Sequence, residues 1–158
     1  MFQAKREHRY CKMYIHANRE DVFPMLCPER ELEYMFGWTY RWVYSNSGLM
    51  EKDCVFVTPQ YGTETTWILM DHDPENCSFQ AVQFAKDLMA IQLRVRLNQI
   101  AKGETEIVAH YCLTALTETG NQAISMMSQE RFDADLVTMQ AELNDYFEKN
   151  AIIRAAEV

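Results

Sequence analysis

Hydrophobic and polar positions alternate with a period of two along much of the chain up to residue 117, and then switch to a helical period. Over residues 9–17, Cys11, Met13, Ile15 and Ala17 alternate with Tyr10, Lys12, Tyr14 and His16, which predicts a strand with one apolar side. Asn18 then offers a helix cap, with Glu20 and Asp21 in the first turn, where acidic side chains favour the helix dipole. Pro24 and Pro28 limit how far a helix can run, so two short helices are predicted, at about 19–26 and 29–36. Beyond Gly37 the alternation returns: Tyr40, Trp42 and Tyr44 oppose Arg41, Val43 and Ser45, and "SNSG" supplies a turn. The runs "DCVFVTP", "TETTWILMD", "CSFQAVQF", "LMAIQLRVRL" and "TEIVAHYCLTAL" read as successive strands. Two of them are regular enough to assign faces. Met89, Ile91, Leu93, Val95 and Leu97 oppose Gln92, Arg94, Arg96 and Asn98, while Thr105, Ile107, Ala109, Tyr111 and Leu113 oppose Glu104, Glu106, Val108 and His110.

Residues 121–150 contain neither Gly nor Pro, and Phe132, Leu136, Met139, Leu143, Tyr146 and Phe147 recur at helical spacing. One helix of roughly 45 Å is predicted there, and it needs a long apolar surface to lie on. Short connections make neighbouring strands antiparallel, and a strongly twisted sheet of this size curls. The expected class is α+β: a curved antiparallel sheet of about seven strands wrapped around a long C-terminal helix, with two short helices after the first strand. A curled sheet touches a straight helix along its centre and diverges at the sides, which leaves a hollow.

Length and charge narrow the possibilities. A chain of 158 residues without linker or repeat is expected to form a single domain over residues 1–158. A net charge of −8 argues against nucleic acid, whose binding rests on cations neutralising phosphates. The longest stretch without Asp, Glu, Lys or Arg, residues 107–117, is too short to cross a bilayer, and the N-terminus lacks a signal-peptide core. Five scattered cysteines with no CxxC pair fit buried, reduced thiols, so a cytoplasmic protein without membrane insertion is expected.

The order of elements, with the stretches "VFPMLCPERELEYMFGWTYRWVYSNSGLMEKDCVF", "TTWILMDHDPENCSFQ" and "LTALTETGNQAI", resembles the START-like (SRPBCC) superfamily, also described as the helix-grip or Bet v 1-like fold. Within it the nearest resemblance is to polyketide cyclases, dehydrases and lipid-transfer proteins, from about residue 10 to 147. At positions 34 and 36, where that group often carries Trp and Pro, this chain has Tyr34 and Phe36. The resemblance implies a cavity between sheet and terminal helix that binds a hydrophobic or amphipathic small molecule, lipid-like or polyketide-like. It also admits two other roles, a cyclase- or dehydrase-type enzyme on a polyketide-like or acyl substrate and a co-chaperone-like interaction module, as well as a homodimer.

On that reading Tyr34, Phe36 and Trp38 lie at the cavity mouth, and Trp42, Tyr44, Phe56 and Trp67 belong to the aromatic strands beside it. Ile91, Leu93, Val95 and Tyr111 face inward from the last strands, and Met127, Phe132 and Met139 face them from the helix. Met13, Met89 and Met126 extend an adjustable thioether wall. Tyr111 is the candidate catalytic group by its inward parity, with Tyr44, Trp67 and Thr58 behind it. "DHD" at 71–73 reads as a polar strand end, because neighbouring strand side chains point to opposite faces and cannot form a carboxylate–histidine pair. His110 and Cys112 are two candidate ligands on the wet face, too few for a zinc site. No GxSxG, HExxH, P-loop or GxGxxG is present, so no cofactor is expected.

Overall fold

The computed structural model describes residues 1–157. Seven strands form one antiparallel sheet: β1 (Arg6–Ile15), β2 (Arg41–Tyr44), β3 (Val55–Thr58), β4 (Thr65–Asp73), β5 (Ser78–Ala85), β6 (Met89–Ala101) and β7 (Glu104–Ala115). Their spatial order is β1-β7-β6-β5-β4-β3-β2, so β2 to β7 meander and β1 pairs with the last strand. Between β1 and β2, which lie at opposite edges, the chain runs through α1 (Arg19–Val22), a 3₁₀ turn (Phe23–Leu26) and α2 (Pro28–Glu31). The second helical piece is thus shorter than the expected 29–36, and residues 32–40 continue as turns. Pro24 at the second position of the 3₁₀ turn and Pro28 at the first of α2 lie in first turns, where an N–H is not needed.

The terminal helix is two helices. The continuous element expected over 121–150 breaks at Met127 and Ser128 into α3 (Glu118–Met126) and α4 (Gln129–Ala156). Each has its own N-cap: Thr117 Oγ1 accepts from the Gly120 N–H at 3.0 Å, and Ser128 Oγ accepts from the Arg131 N–H at 3.1 Å. Absence of Gly and Pro does not secure continuity when a serine can cap a new first turn. Gly120 is required by contact, since a Cβ there would stand 1.9 Å from the Leu88 carbonyl oxygen. That contact seats α3 on the start of β6. α4 then extends about 42 Å, and of its residues only Leu143 is fully buried.

Two buried clusters occupy the concave face. The larger one gathers Ile15, Val22, Leu69, Leu97, Ile107 and Leu143 under α1 and the C-terminal part of α4. The smaller one gathers Ala85, Met89, Ile91, Leu113 and Ile124 under α3. Tyr111 and Phe132 pack against both, with ring centroids 5.0 Å apart. The outer face carries Gln92, Arg94 and Arg96, as the alternation predicts. Cys112 departs from it, buried despite its outward parity: it lies mid-sheet between His8 and Gln92, larger side chains that cover a short thiol.

β1 is an edge strand, and its free backbone groups are taken up by amide side chains. Gln129 accepts from the Tyr10 N–H at 3.1 Å and donates to the Tyr10 carbonyl at 2.9 Å. Gln140 accepts from the Tyr14 N–H at 2.8 Å, while Asn144 accepts from the His16 N–H at 2.8 Å and donates to the Tyr14 carbonyl at 3.0 Å. Asn121 does the same for Lys5 and Gln3. A primary amide presents the donor and acceptor of a peptide group, so these side chains stand in for a missing neighbouring strand. Replacing Gln140 and Asn144 together by Ala is expected to lower stability by about 1–3 kcal/mol in urea unfolding. The same double variant is expected to increase self-association in size-exclusion chromatography.

Candidate functional site

The sequence from Pro28 to Trp38 places Pro28, Glu31, Met35 and Trp38 at intervals of three and four residues, and all four reach one space. That space is an internal cavity of about 140 Å³ between the sheet and α4. Its floor is Leu93, Val95, Ile107 and Ala109 from β6 and β7, with Met13 from β1 and Phe79 from β5. Phe56 and Trp67, stacked at 5.1 Å, form one wall, while Leu136 and Met139 of α4 form the roof. The void exists because α4 passes over the floor at Phe132, Leu136 and Met139 with half-buried contacts, and closes down fully only at Leu143.

A second, outer cavity of about 400 Å³ shares Met35, Gln60, Tyr111, Leu136 and Met139 with the inner one, and adds Tyr61, Met127, Arg131, Phe132 and Asp135. The interior is apolar and the outer chamber carries both charges. The two spaces meet at a boundary formed by two flexible thioethers, a leucine, an amide and a phenol.

The polar groups at the site are few. Glu31 lies at the end of α2 and has no salt-bridge or side-chain hydrogen-bond partner among the described residues. It is half-buried where it lines the cavity, and burial pushes its carboxyl up to about 8. Tyr111 is also raised far above the ordinary phenol range, chiefly by burial, and a charge on Glu31 would raise it further. Gln60 is anchored through its Oε1, which accepts from Thr58 Oγ1 at 2.8 Å and Trp67 Nε1 at 3.2 Å. Trp38 donates its indole N–H to the Pro28 carbonyl at 2.9 Å, locking the turn after α2.

Of the residues expected at the site, Trp38, Phe56, Trp67, Leu93, Val95, Tyr111 and Met139 line the inner cavity, and Met127 and Phe132 line the outer one. Four lie outside both. Tyr34 donates its hydroxyl to the Met25 carbonyl at 2.9 Å and packs against Tyr146. Trp42 stands edge-on to Tyr40 and Phe56 behind the cavity wall. Tyr44 is exposed at the end of β2, its hydroxyl on Asn46, because β2 is an edge strand with nothing over its last residues. Ile91 faces inward but is enclosed in the smaller cluster beneath α3. Phe36, expected at the mouth, is 97 % exposed, turned outward on the loop whose Met35 and Trp38 turn inward. Met126 is exposed at the end of α3 and Met89 is sealed in the smaller cluster, whereas Met13 lines the cavity with Met35 and Met50.

"DHD" is the strand end expected: Asp73 accepts from the Asn76 backbone N–H at 3.1 Å, and His72 stacks on Phe23 at 5.3 Å. His110 stacks on Tyr10 and approaches His8 on the outer face. No group of three His, Cys, Asp or Glu able to hold a metal occurs among the described residues. All five cysteines are buried and unpaired. No helix among the described residues is long and apolar enough to cross a membrane.

Glu31, Gln60, Met35 and Met50 were missed by sequence reasoning. For Glu31 the signal was present: an acidic residue in step with Pro28, Met35 and Trp38 on one helical stripe. It was masked by the charged neighbours Glu29, Arg30 and Glu33, which face outward. The folded protein keeps the Glu31 proton up to about pH 8, whereas an unfolded chain releases it in the ordinary carboxylate range. Folding therefore takes up a proton between those values, and this residue's contribution falls as pH rises through the window. Glu31→Gln is expected to match the parent near pH 4 and to exceed its stability by about 2–4 kcal/mol at pH 8.5, read from denaturation at each pH.

No protein-family profile and no curated protein sequence matches the chain. Solved structures do. A norcoclaurine synthase point mutant from Thalictrum flavum superimposes with a TM-score of 0.68 at 9 % identity, covering 95 % of this chain and 99 % of that one. The Zhui aromatase/cyclase from Streptomyces sp. R1128 gives 0.66 at 15 % identity, covering 96 % and 98 %. The Mll3558 protein from Rhizobium loti gives 0.62 at 10 % identity, covering 90 % and 100 %. At such identities the likeness is one of architecture, and the chain has the helix-grip fold shared by START-like and Bet v 1-like proteins.

Proposed function

We propose that the protein binds a small hydrophobic or amphipathic molecule between the sheet and α4. The observation that carries this reading is the apolar inner cavity opening, through Met35, Gln60, Tyr111, Leu136 and Met139, into a polar-rimmed outer chamber. Size sets the ligand's shape. An apolar cavity of about 150 Å³ accommodates benzene, so the inner space of about 140 Å³ takes one ring or a short acyl chain. Sites for larger ligands span roughly 300–1,000 Å³, a range reached here only with the outer chamber included. Affinity comes from apolar contact, and thioethers at the boundary repack around irregular shapes. Five unpaired buried thiols accord with a reducing, cytoplasmic setting.

Ala109→Leu tests the reading by filling the floor from within. Its melting temperature is expected to stay within a few degrees of the parent. In native mass spectrometry the parent is expected to show adducts with alkylbenzenes, short fatty acids and aromatic ketones, and the variant to show none. No adduct for the parent with any of these would defeat the proposal.

A catalytic role is the second reading, favoured by one observation: a partnerless carboxyl and a partnerless phenol, Glu31 and Tyr111, share an apolar cavity. Two of the structural neighbours bear enzyme names, a synthase and an aromatase/cyclase. On this reading the substrate is polyketide-like or acyl, and Tyr111→Phe is expected to lower turnover at least tenfold and by more than it lowers substrate affinity. Equal loss of both would remove support for catalysis by Tyr111.

A further inference from the structure

Three polar side chains face the inner cavity or its boundary with free hydrogens. Glu31 has no partner, and in its protonated form it offers one O–H. Tyr111 lines both spaces, and its hydroxyl makes no hydrogen bond to the described residues. Gln60 is oriented by chemistry: an indole N–H can only donate, so the amide atom facing Trp67 Nε1 is oxygen, and the two N–H bonds of Nε2 are left for the cavity. Both cavity tryptophans have already used their N–H groups, Trp38 on the Pro28 carbonyl and Trp67 on Thr58.

The charged surroundings reinforce the pattern. Two titratable groups sense Glu31, Tyr34 on its own segment and Tyr111 from β7; Tyr34 also senses Cys27 and Glu142, and Tyr111 also senses Tyr61, Cys11 and Asp135. Tyr61 and Arg131 stand at the outer chamber. Arg30 is engaged by Glu33, and Tyr40 by Glu29, both on the outside. No Lys or Arg lines the inner cavity among the described residues. A carboxylate ligand would therefore meet no countercharge there, and an ammonium would face two neutral donors and an acid that must first lose its proton. A neutral carbonyl oxygen, which only accepts, suits a cavity whose polar groups have only hydrogens to give.

We propose that the inner cavity selects a neutral carbonyl compound with an aromatic or short aliphatic body, its oxygen received by Glu31 in the acid form together with Gln60 and Tyr111. This rests on the binding reading above. Because the acid must be protonated to donate, affinity for a carbonyl falls as pH rises through about 8, where Glu31 ionises.

Three probes of one shape separate the possibilities by isothermal titration at pH 7 and pH 9: acetophenone, ethylbenzene and phenethylamine. Acetophenone is expected to bind at least tenfold tighter than ethylbenzene at pH 7, and about tenfold weaker at pH 9 than at pH 7, the factor set by one ionisation near 8. Ethylbenzene is expected to be indifferent to pH. Glu31→Gln keeps a donor that does not titrate, so it should hold acetophenone within about threefold at both pH values. Where that variant does not fold, Tyr111→Phe serves instead, with loss for acetophenone and none for ethylbenzene. Equal affinity for acetophenone and ethylbenzene at both pH values overturns the inference and leaves the binding reading standing. Tighter binding of phenethylamine, strengthening toward pH 9, overturns it in favour of Glu31 as a counter-ion. Failure of all three probes at millimolar concentration overturns the binding reading as well.

Discussion

The structure depends on where α4 touches the sheet. Leu143 is driven fully into the larger cluster, while Phe132, Leu136 and Met139, one to three turns earlier, are half-buried over the same sheet. A straight rod against a curved surface meets it closely at one place only, and the gap opens toward the rod's other end. Two filled clusters, one held by Leu143 and one by Ile124 of α3, bracket that gap. The cavity is therefore a consequence of helix stiffness and sheet curvature, which individual side chains trim.

The break between α3 and α4 adjusts this geometry. A continuous helix from residue 118 to 156 would have a single axis, and one end would have to leave the sheet. By restarting at Ser128, the chain seats α3 on β6 and β7 through Gly120 and lets α4 take its own direction. Met127, at the junction, is buried in the smaller cluster and also lines the outer chamber.

The strand meander and its antiparallel order were legible from alternating runs joined by short turns, and the inward faces of β6 and β7 from a period of two sustained over ten or more residues. The long helix was legible in existence and type; its break was not, since a serine cap lies in a local pattern that the 3.6 period overrides. At the site, parity placed Leu93, Val95 and Tyr111, and it failed for Ile91, because parity reports a face and not which cluster occupies that part of it. Phe36 and Trp38 illustrate the same limit in a loop. Two residues apart, one donates to Pro28 and faces inward while the other is turned out, a difference set by turn geometry around Gly37 at φ 75°. Glu31 is the informative miss, since a charged residue in a charged run reads as solvated until its helical partners are known.

The amide side chains along β1 have a bearing on how far α4 is free to move. Lifting α4 would widen the gap above the floor, but Gln129, Gln140 and Asn144 would then be withdrawn from Tyr10, Tyr14 and His16, and a bare strand margin would be presented to any other copy nearby. The same contacts thus fasten α4 to one flank of the sheet and cover the edge of β1. The other flank of α4, at the outer chamber, is bordered by the Met35 loop and Gln60, which make none of these contacts to β1.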